Sequence, residues 1–366
     1  MKIKGSDIFI NLFVLEMANN HWGSLIRGKK IINDHAQIVK FNGVRAAIKL
    51  QFRDIKSFIH VHHKDDTDQR YIKKTQDTRM SKKDLFTLVK EVRKVNCIPM
   101  STPFDEKSVD LCEEFDLPII KIASSDVNDW PLLERISKAN KPTIISTGGV
   151  NEKDLDDVVE FFNNRKIPLA INHCVSLYPS EDQDLCLSQI DYFKKRYKDN
   201  VIGLSTHEYH DWSSSVIMSY AKGARTWERH IDINYEGVPV SKYCSLPEQC
   251  DIWFKSYKKA LEMNGNASDE RRIIKKEEIE YLDKLVRGVY AKKNLLPGYK
   301  LHSKKLKEDF YLAIPLKKGQ LSCRELLNGE KITKAVKKNE PLTIDNIDGP
   351  YKNNKKLREL IKNRGI

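Results

Sequence analysis

Residues 119–147 read IIKIASSDVNDWPLLERISKANKPTIIST. Two short apolar runs, 119–124 and 143–147, flank residues 130–139, where apolar side chains recur at helical spacing. Strand, amphipathic helix and strand in so short a span make a parallel βαβ unit. The unit repeats in both directions. Runs rich in Ile and Val also lie at 8–17, 46–52, 98–102, 169–175, 201–206 and 225–231, with helical periodicity between most of them, as at 82–95, 106–114, 152–163 and 214–222. Eight strands alternating with helices predict an α/β fold of the (β/α)8 TIM-barrel type; an open doubly wound sheet has the same count of elements. Residues 57–81 interrupt the pattern with a polar excursion. Its His60, His62 and His63 read as part of a solvated loop, because no acid or thiol stands at ligand spacing.

Polar residues gather at the C-terminal ends of these runs. Glu16, Asn20 and His21 follow the first, and Lys49 and Gln51 close the second. Thr102 closes the third, Lys121 and Ser124 the fourth, Ser146 and Thr147 the fifth. Ser176 and Tyr178 close the sixth, Ser205 and His207 the seventh, Glu228 and His230 the eighth. In a barrel these ends converge on the face that carries the active site. The expectation is a polar pocket suited to a phosphate.

The 366 residues hold 64 Lys and Arg against 51 Asp and Glu, a formal charge of +13. The basic clusters at 271–276, 304–307 and 352–364 are interleaved with acids and come with no nucleic-acid-binding motif. They read as solvated faces, with attraction of anionic metabolites as a second reading and no nucleic-acid partner expected. No apolar run reaches the roughly 20 residues of a spanning helix. Residues 8–15 are too short for one and lack a small-residue cleavage site, so no membrane partner is expected. Seven scattered cysteines without a CxxC pair fit free thiols in a reducing cytoplasm. Cys174, on an apolar strand, reads as a buried, inert thiol. Residues 1–264 are assigned to the barrel, with a closing helix at 247–264. Residues 265–285 read as a charged linker, 286–350 as a small β-rich domain with glycine turns, and 351–366 as a basic helical tail.

Seven motifs in chain order resemble those of the sialic acid (nonulosonate) synthase family. EMANNHWGS at 16–24 is similar to its opening signature, IKLQ at 48–51 to its VKFQ, and KIASSD at 121–126 to its KIGSGE. STGG at 146–149, HCVSLYP at 173–179, GLSTH at 203–207 and ERH at 228–230 resemble its STGM, LHC-S-YP, GYSDH and EKHFT. Residues 286–347 resemble the antifreeze-like SAF domain of these synthases. The resemblance implies a transferase that joins phosphoenolpyruvate to the open-chain aldehyde of an amino sugar, ManNAc-like or a 6-deoxy diacetamido sugar. The products are a nonulosonic acid and phosphate, and a divalent metal, Mn²⁺ or Mg²⁺, is required. It also implies a domain-swapped homodimer. The alternatives are another phosphoenolpyruvate-dependent keto-sugar-acid synthase, or a sugar-binding barrel without catalysis.

Carried over residue by residue, the resemblance makes His207 and His230 the metal ligands. Lys121, Ser124, Ser146, Ser176 and Ser205 become the phosphate cradle, with Thr102 a further candidate. Lys49 and Gln51 stand beside the carboxylate and reacting carbons. Glu16 binds sugar hydroxyls and assists proton transfer, Tyr178 contacts the sugar, and Glu228 acts near the metal. The competing readings are lining histidines, strand-end caps, and a structural ion pair between Glu16 and a barrel lysine. Three departures mark a divergent acceptor: no Asp accompanies Pro239 before Ser245-Leu246, with Glu236 as the nearest substitute. No Arg stands near Ile314-Pro315, and Ser125 and Asp126 replace Gly and Glu.

Overall fold

The computed structural model describes residues 4–64, 68–265, 271–321, 329–349 and 353–363. It divides into two compact units, Met1–Asn266 and Ala267–Ile366. In the first, the elements run β1 (Leu12–Ala18), α1 (Leu25–Asn42), β2 (Arg45–Phe52), α2 (Ile55–Phe58), α3 (Arg70–Asp77), α4 (Lys82–Lys94), β3 (Ile98–Pro103), α5 (Glu106–Glu114), β4 (Ile119–Ile122) and α6 (Trp130–Ala139). They continue with β5 (Thr143–Ser146), α7 (Glu152–Asn164), β6 (Leu169–Cys174), α8 (Ser188–Arg196), β7 (Val201–Thr206), α9 (Ser214–Lys222), β8 (Thr226–Ile231), β9 (Cys244–Ser245) and α10 (Pro247–Asn264). All neighbouring strands are parallel, and β1 pairs with both β2 and β8, which closes the (β/α)8 barrel and excludes an open sheet.

Side-chain alternation explains why the barrel has an apolar floor and a polar mouth. Successive strand residues face opposite sides. The outward set, including Phe13, Leu15, Ile48, Leu50, Ile120, Ile122, Ile145, Ile171, Ile202, Leu204 and Trp227, packs under the helices. The inward set starts apolar, with Leu12, Val14, Ala47, Met100, Ile119, Ile144, Ala170 and Val201 packed with Phe9. Two residues further along five of these strands the inward position turns polar: Glu16 after Val14, Lys49 after Ala47, Thr102 after Met100, Lys121 after Ile119, Ser146 after Ile144. The expected first strand, 8–17, is thereby corrected. Residues Ser6–Phe9 form a 3-10 turn that places Phe9 under the floor, and the strand begins at Leu12.

Five helix starts are set by a capping side chain in the preceding loop. Ser24, Ser81, Asp105, Asp129 and Asn151 accept from the backbone N–H of Arg27, Asp84, Ser108, Leu132 and Asp154. Helix α10 seals the β1–β8 seam. The Phe13 ring stacks on Trp227 at 5.2 Å and meets Trp253, Phe254 and Tyr257 edge-on at 4.8 to 5.0 Å.

Gly203 sits where nothing larger fits. A Cβ there would lie 2.2 Å from Asn172 Oδ1, 2.3 Å from Thr226 Cγ2 and 2.6 Å from the Thr226 carbonyl oxygen. The backbone oxygen cannot rotate away. Gly203→Ala is expected to cost about 3 kcal/mol through overpacking. A thermal unfolding midpoint lowered by about 5–10 °C is the readout, and an unchanged midpoint would show that the interior yields.

The second unit contains α11 (Lys276–Asp283), β10 (Gly288–Ala291), α12 (Leu306–Asp309), β11 (Phe310–Ala313), β12 (Lys331–Ile332), β13 (Ile347–Asp348) and α13 (Lys355–Asn363). Strands β10 and β11 pair antiparallel, as do β12 and β13. Its core joins Val289, Leu295, Leu301, Phe310, Ile332 and Ile361 among others. Residues 297 and 298 make a turn, with Gly298 at φ +90° and its N–H bonded to Ile332 O. Of the expected tail helix at 351–366, residues 355–363 are helical; 351, 352 and 364–366 lie outside the described residues.

Candidate active site

The strand ends surround one cavity of about 430 Å³. Asn20, His21 and Thr147 of the strand-end set do not line it; it is lined by Glu16, Lys49, Gln51, Thr102, Lys121, Ser124, Ser146, Ser176, Tyr178, Ser205, His207, Glu228 and His230. Convergence of the strand ends brings them together from seven of the eight strands and the loops that follow, with β3 contributing only Thr102.

Around the wall runs a chain of alternating charges. Arg53 donates to Gln51 Oε1 at 2.9 Å, and Gln51 Nε2 reaches Glu16 Oε1 at 3.4 Å. Glu16 pairs with Lys49, whose Nζ also donates to Thr102 Oγ1 at 2.9 Å and lies 3.5 Å from Glu228 Oε1. The same Glu228 oxygen is 3.2 Å from Lys121 Nζ, which donates to Ser146 Oγ at 2.7 Å. Glu16, Lys49, Lys121 and Glu228 are all buried. Burial works to raise the Glu228 pKa, but Lys121 and Lys49 hold it below the usual carboxylate range. Burial also pushes the Lys49 ammonium down to about 7, against the pull of Glu228. Such an arrangement is expensive to bury and clusters where chemistry is done. Glu16 is thus both a cavity residue and the ion-pair partner of a barrel lysine, so its two readings coexist.

The Ser146-Thr147-Gly148-Gly149 turn lies against Ser124 and Ser176. The Gly148 N–H donates to Ser124 Oγ at 2.9 Å, and a Cβ on Gly148 would lie 2.1 Å from Ser176 Oγ. Only glycine lets the backbone come this close to Ser124 and Ser176.

On the other side, the rings of His207 and His230 are 5.4 Å apart. His207 Nδ1 bonds to the Val175 carbonyl at 2.9 Å, which leaves Nε2 for a ligand. His230 Nδ1 is buried with no hydrogen-bond partner. Burial pushes His207 down to about 4 and His230 well below its ordinary value, so both rings are neutral and keep a lone pair. Two neutral imidazoles, one with an orphaned nitrogen, fit a divalent cation. Among the described residues no third His, Cys, Asp or Glu completes a protein-only site, so water and substrate would supply the remaining ligands.

Several lining residues escaped the sequence. Arg53 lies flat over the Phe104 ring at 3.7 Å. Arg70, Tyr71, Lys74 and Thr75 reach the cavity from α3, inside the excursion read as a solvated loop; their i, i+4 spacing was the available signal. Tyr243 comes from the stretch after β8 that lacks the expected Asp. Its ring is 5.2 Å from both His230 and Tyr178. Glu236 is exposed and does not line the cavity, so it does not take the place of that Asp. His210 pairs with Asp182 at 3.2 Å, away from the lining. Cys174 does line the cavity, and burial pushes its thiol up.

The NeuB family model matches residues 30–267. The chain belongs to the NeuB family. Its relatives include the N-acetylneuraminate-9-phosphate synthase of Drosophila melanogaster, 28% identical over 68% of this chain and 67% of that one. The N,N'-diacetyllegionaminic acid synthase of Campylobacter jejuni is 26% identical over 78% of this chain and 86% of its own length. A crystal structure from Chromobacterium violaceum, provisionally named a spore coat polysaccharide biosynthesis protein E, superposes with a TM-score of 0.86. It is 33% identical and covers 93% of this NeuB-family chain and all of its own.

Proposed function

We propose that this NeuB-family barrel condenses phosphoenolpyruvate with the open-chain aldehyde of an amino sugar, forming a nonulosonic acid and inorganic phosphate. The observation that carries the reading is the cavity itself. It is lined together by Lys121 and its partner Ser146, by Ser124 beside the Gly148 turn, by two neutral histidines, and by Lys49 and Glu16. Synthase names among its relatives, for sialic-acid-type and legionaminic-type products, support it.

Lys121, Ser124, Ser146, Ser176 and Ser205 hold the phosphate, and the Gly148 turn shapes the cradle. Lys49 and Thr102 take the carboxylate, with Gln51 and Arg53 behind them. Glu228 spaces the two lysines. C3 of phosphoenolpyruvate forms the bond to the aldehyde carbon, whose oxygen gains a proton. Water adds at C2, and the C2–O bond breaks to release phosphate and leave the 2-keto acid. Glu16 holds a sugar hydroxyl and moves the proton. His207 and His230 would hold Mn²⁺ or Mg²⁺, which supplies Lewis-acid polarisation of the aldehyde oxygen. Tyr178 and Tyr243 form the aromatic wall against the sugar. The second unit is read as the SAF domain, and the protein as a homodimer.

A second reading has one observation in its favour. Arg70 and Lys74 line the cavity, whereas the neighbouring Lys73 pairs with Asp77. That favours an acceptor with its own phosphate or carboxylate. The experiment is phosphate release from phosphoenolpyruvate with Mn²⁺ against free amino sugars, diacetamido sugars and their phosphates. Release with one acceptor, abolished by EDTA, is expected; release without acceptor, or with none despite bound phosphoenolpyruvate, contradicts the proposal.

Tyr243→Ala removes one aromatic wall without touching the phosphate cradle. The expected result is a KM for the sugar raised about tenfold, the equivalent of about 1.4 kcal/mol, with the KM for phosphoenolpyruvate unchanged. Equal changes in both would place Tyr243 outside the sugar site.

A further inference from the structure

The two histidines are held from outside the barrel by a buried ion pair that no motif reading picked out. The β7–β8 ladder pairs Ser205 with Glu228 and Thr206 with Arg229, and there it ends. His207 follows β7 directly, and at His230 the edge of β8 passes from β7 to β9, through the pair His230–Cys244. Alternation sends both rings into the cavity and sends Glu208 and Arg229 to the outer side of the wall. On that side Arg229 Nη1 meets Glu208 Oε1 at 2.6 Å, with both side chains 1% exposed. Arg229 Nη2 donates to the Glu208 carbonyl oxygen at 2.6 Å, and Nε donates to Ser245 Oγ at 3.1 Å. Glu208 also accepts from Thr206 and from Ser215. One guanidinium fork therefore clamps the backbone of residue 208, its carboxylate and the short strand β9. Glu208 is the chain neighbour of His207, and Arg229 is the chain neighbour of His230.

We propose that the Glu208–Arg229 pair is a positioning device that sets the spacing and tilt of His207 and His230 and so their joint affinity for a divalent cation. The proposal rests on the reading of those histidines as the cation's ligands. Beyond the end of the β7–β8 ladder, the ion pair is the direct side-chain link between the two segments that carry the histidines. A lysine at 229 would keep the charge but lose the fork, because an ammonium is a point donor on a flexible stem.

The test is a Mn²⁺ titration of chelator-stripped full-length protein, followed by the electron paramagnetic resonance of free Mn²⁺, with thermal unfolding of the same samples without metal. Arg229→Lys is expected to weaken Mn²⁺ binding by about 10- to 100-fold, as loss of a partner behind a metal ligand does. Ser245→Ala keeps the ion pair and removes one anchor, so it decides the matter if Arg229→Lys fails to fold. Its expected loss is at least about threefold. Val158→Ala opens the core under α7 and is the stability control. It is expected to lower the unfolding midpoint and leave the Mn²⁺ Kd unchanged. Binding that is lost in His230→Ala but unchanged in folded Arg229→Lys and Ser245→Ala overturns this proposal alone. A weakening that Val158→Ala reproduces also overturns it. Wild-type protein that binds no Mn²⁺, or binds it equally well as His230→Ala, overturns the ligand reading and this proposal with it.

Discussion

His230→Ala is expected to lower phosphate release by about 10³-fold at saturating Mn²⁺, while the protein stays folded. Loss of Lewis-acid polarisation is a matter of several kcal/mol, and each 1.36 kcal/mol is a factor of ten in rate. Folding is expected to survive because the His230 Nδ1 makes no hydrogen bond that the substitution could break. The ring is also neutral, so no buried ion pair is broken. His207→Ala should match it in rate but lose more stability, since His207 Nδ1 is bonded to Val175 O. A His230→Ala enzyme with a rate within tenfold of wild type would remove His230 from the metal site.

Lys121→Met carries the second large effect, on stability as well as on binding. The substitution keeps the stem and removes the ammonium that lies 3.2 Å from Glu228 and 2.7 Å from Ser146 Oγ. Glu228 is then a buried carboxylate with Lys49 as its remaining cation, 3.5 Å away. Breaking one side of a buried pair costs about 3–5 kcal/mol. Combining Lys121→Met with Glu228→Gln removes both charges and is expected to recover most of that loss. Phosphoenolpyruvate binding should not recover in the double variant. A charge-assisted hydrogen bond to phosphate is worth about 1.5–3 kcal/mol, so its Kd rises about 10- to 150-fold in both. Urea denaturation and a phosphoenolpyruvate titration separate the two effects. If binding returned with stability, Lys121 would be a structural cation rather than a phosphate ligand.

The strand ends were legible because both of their determinants are local. Alternation puts Val14 and Glu16, Ala47 and Lys49, or Ile119 and Lys121 on one side of a strand, and the change from apolar to polar marks the mouth. The helices α5, α6 and α9 were read to the residue because periodicity marked them, with Asp105 and Asp129 capping the first two and Gly223 ending the third. Helix α1 was not, since a glycine interrupts its first turn. That glycine is a packing requirement, as a Cβ on Gly28 would lie 2.9 Å from Leu88 of α4. Contacts between distant segments were not legible. Whether Arg70 and Lys74 face solvent or the cavity depends on how the excursion folds over the mouth, and no short window carries that. Tyr243 lies in an irregular segment with no period to read. Glu208 and Arg229 look like ordinary strand-end charges until the barrel closes and buries them against each other.

The most direct test of the account supplies phosphoenolpyruvate labelled with carbon-13 at all three carbons, together with Mn²⁺ and the acceptor that releases phosphate. Mass spectrometry then reads the product. The account predicts one sugar-derived 2-keto acid carrying all three labelled carbons for each phosphate released, and none in EDTA or with His230→Ala. Labelled pyruvate in place of that acid would mean the barrel hydrolyses phosphoenolpyruvate without forming a carbon–carbon bond, which contradicts the condensation.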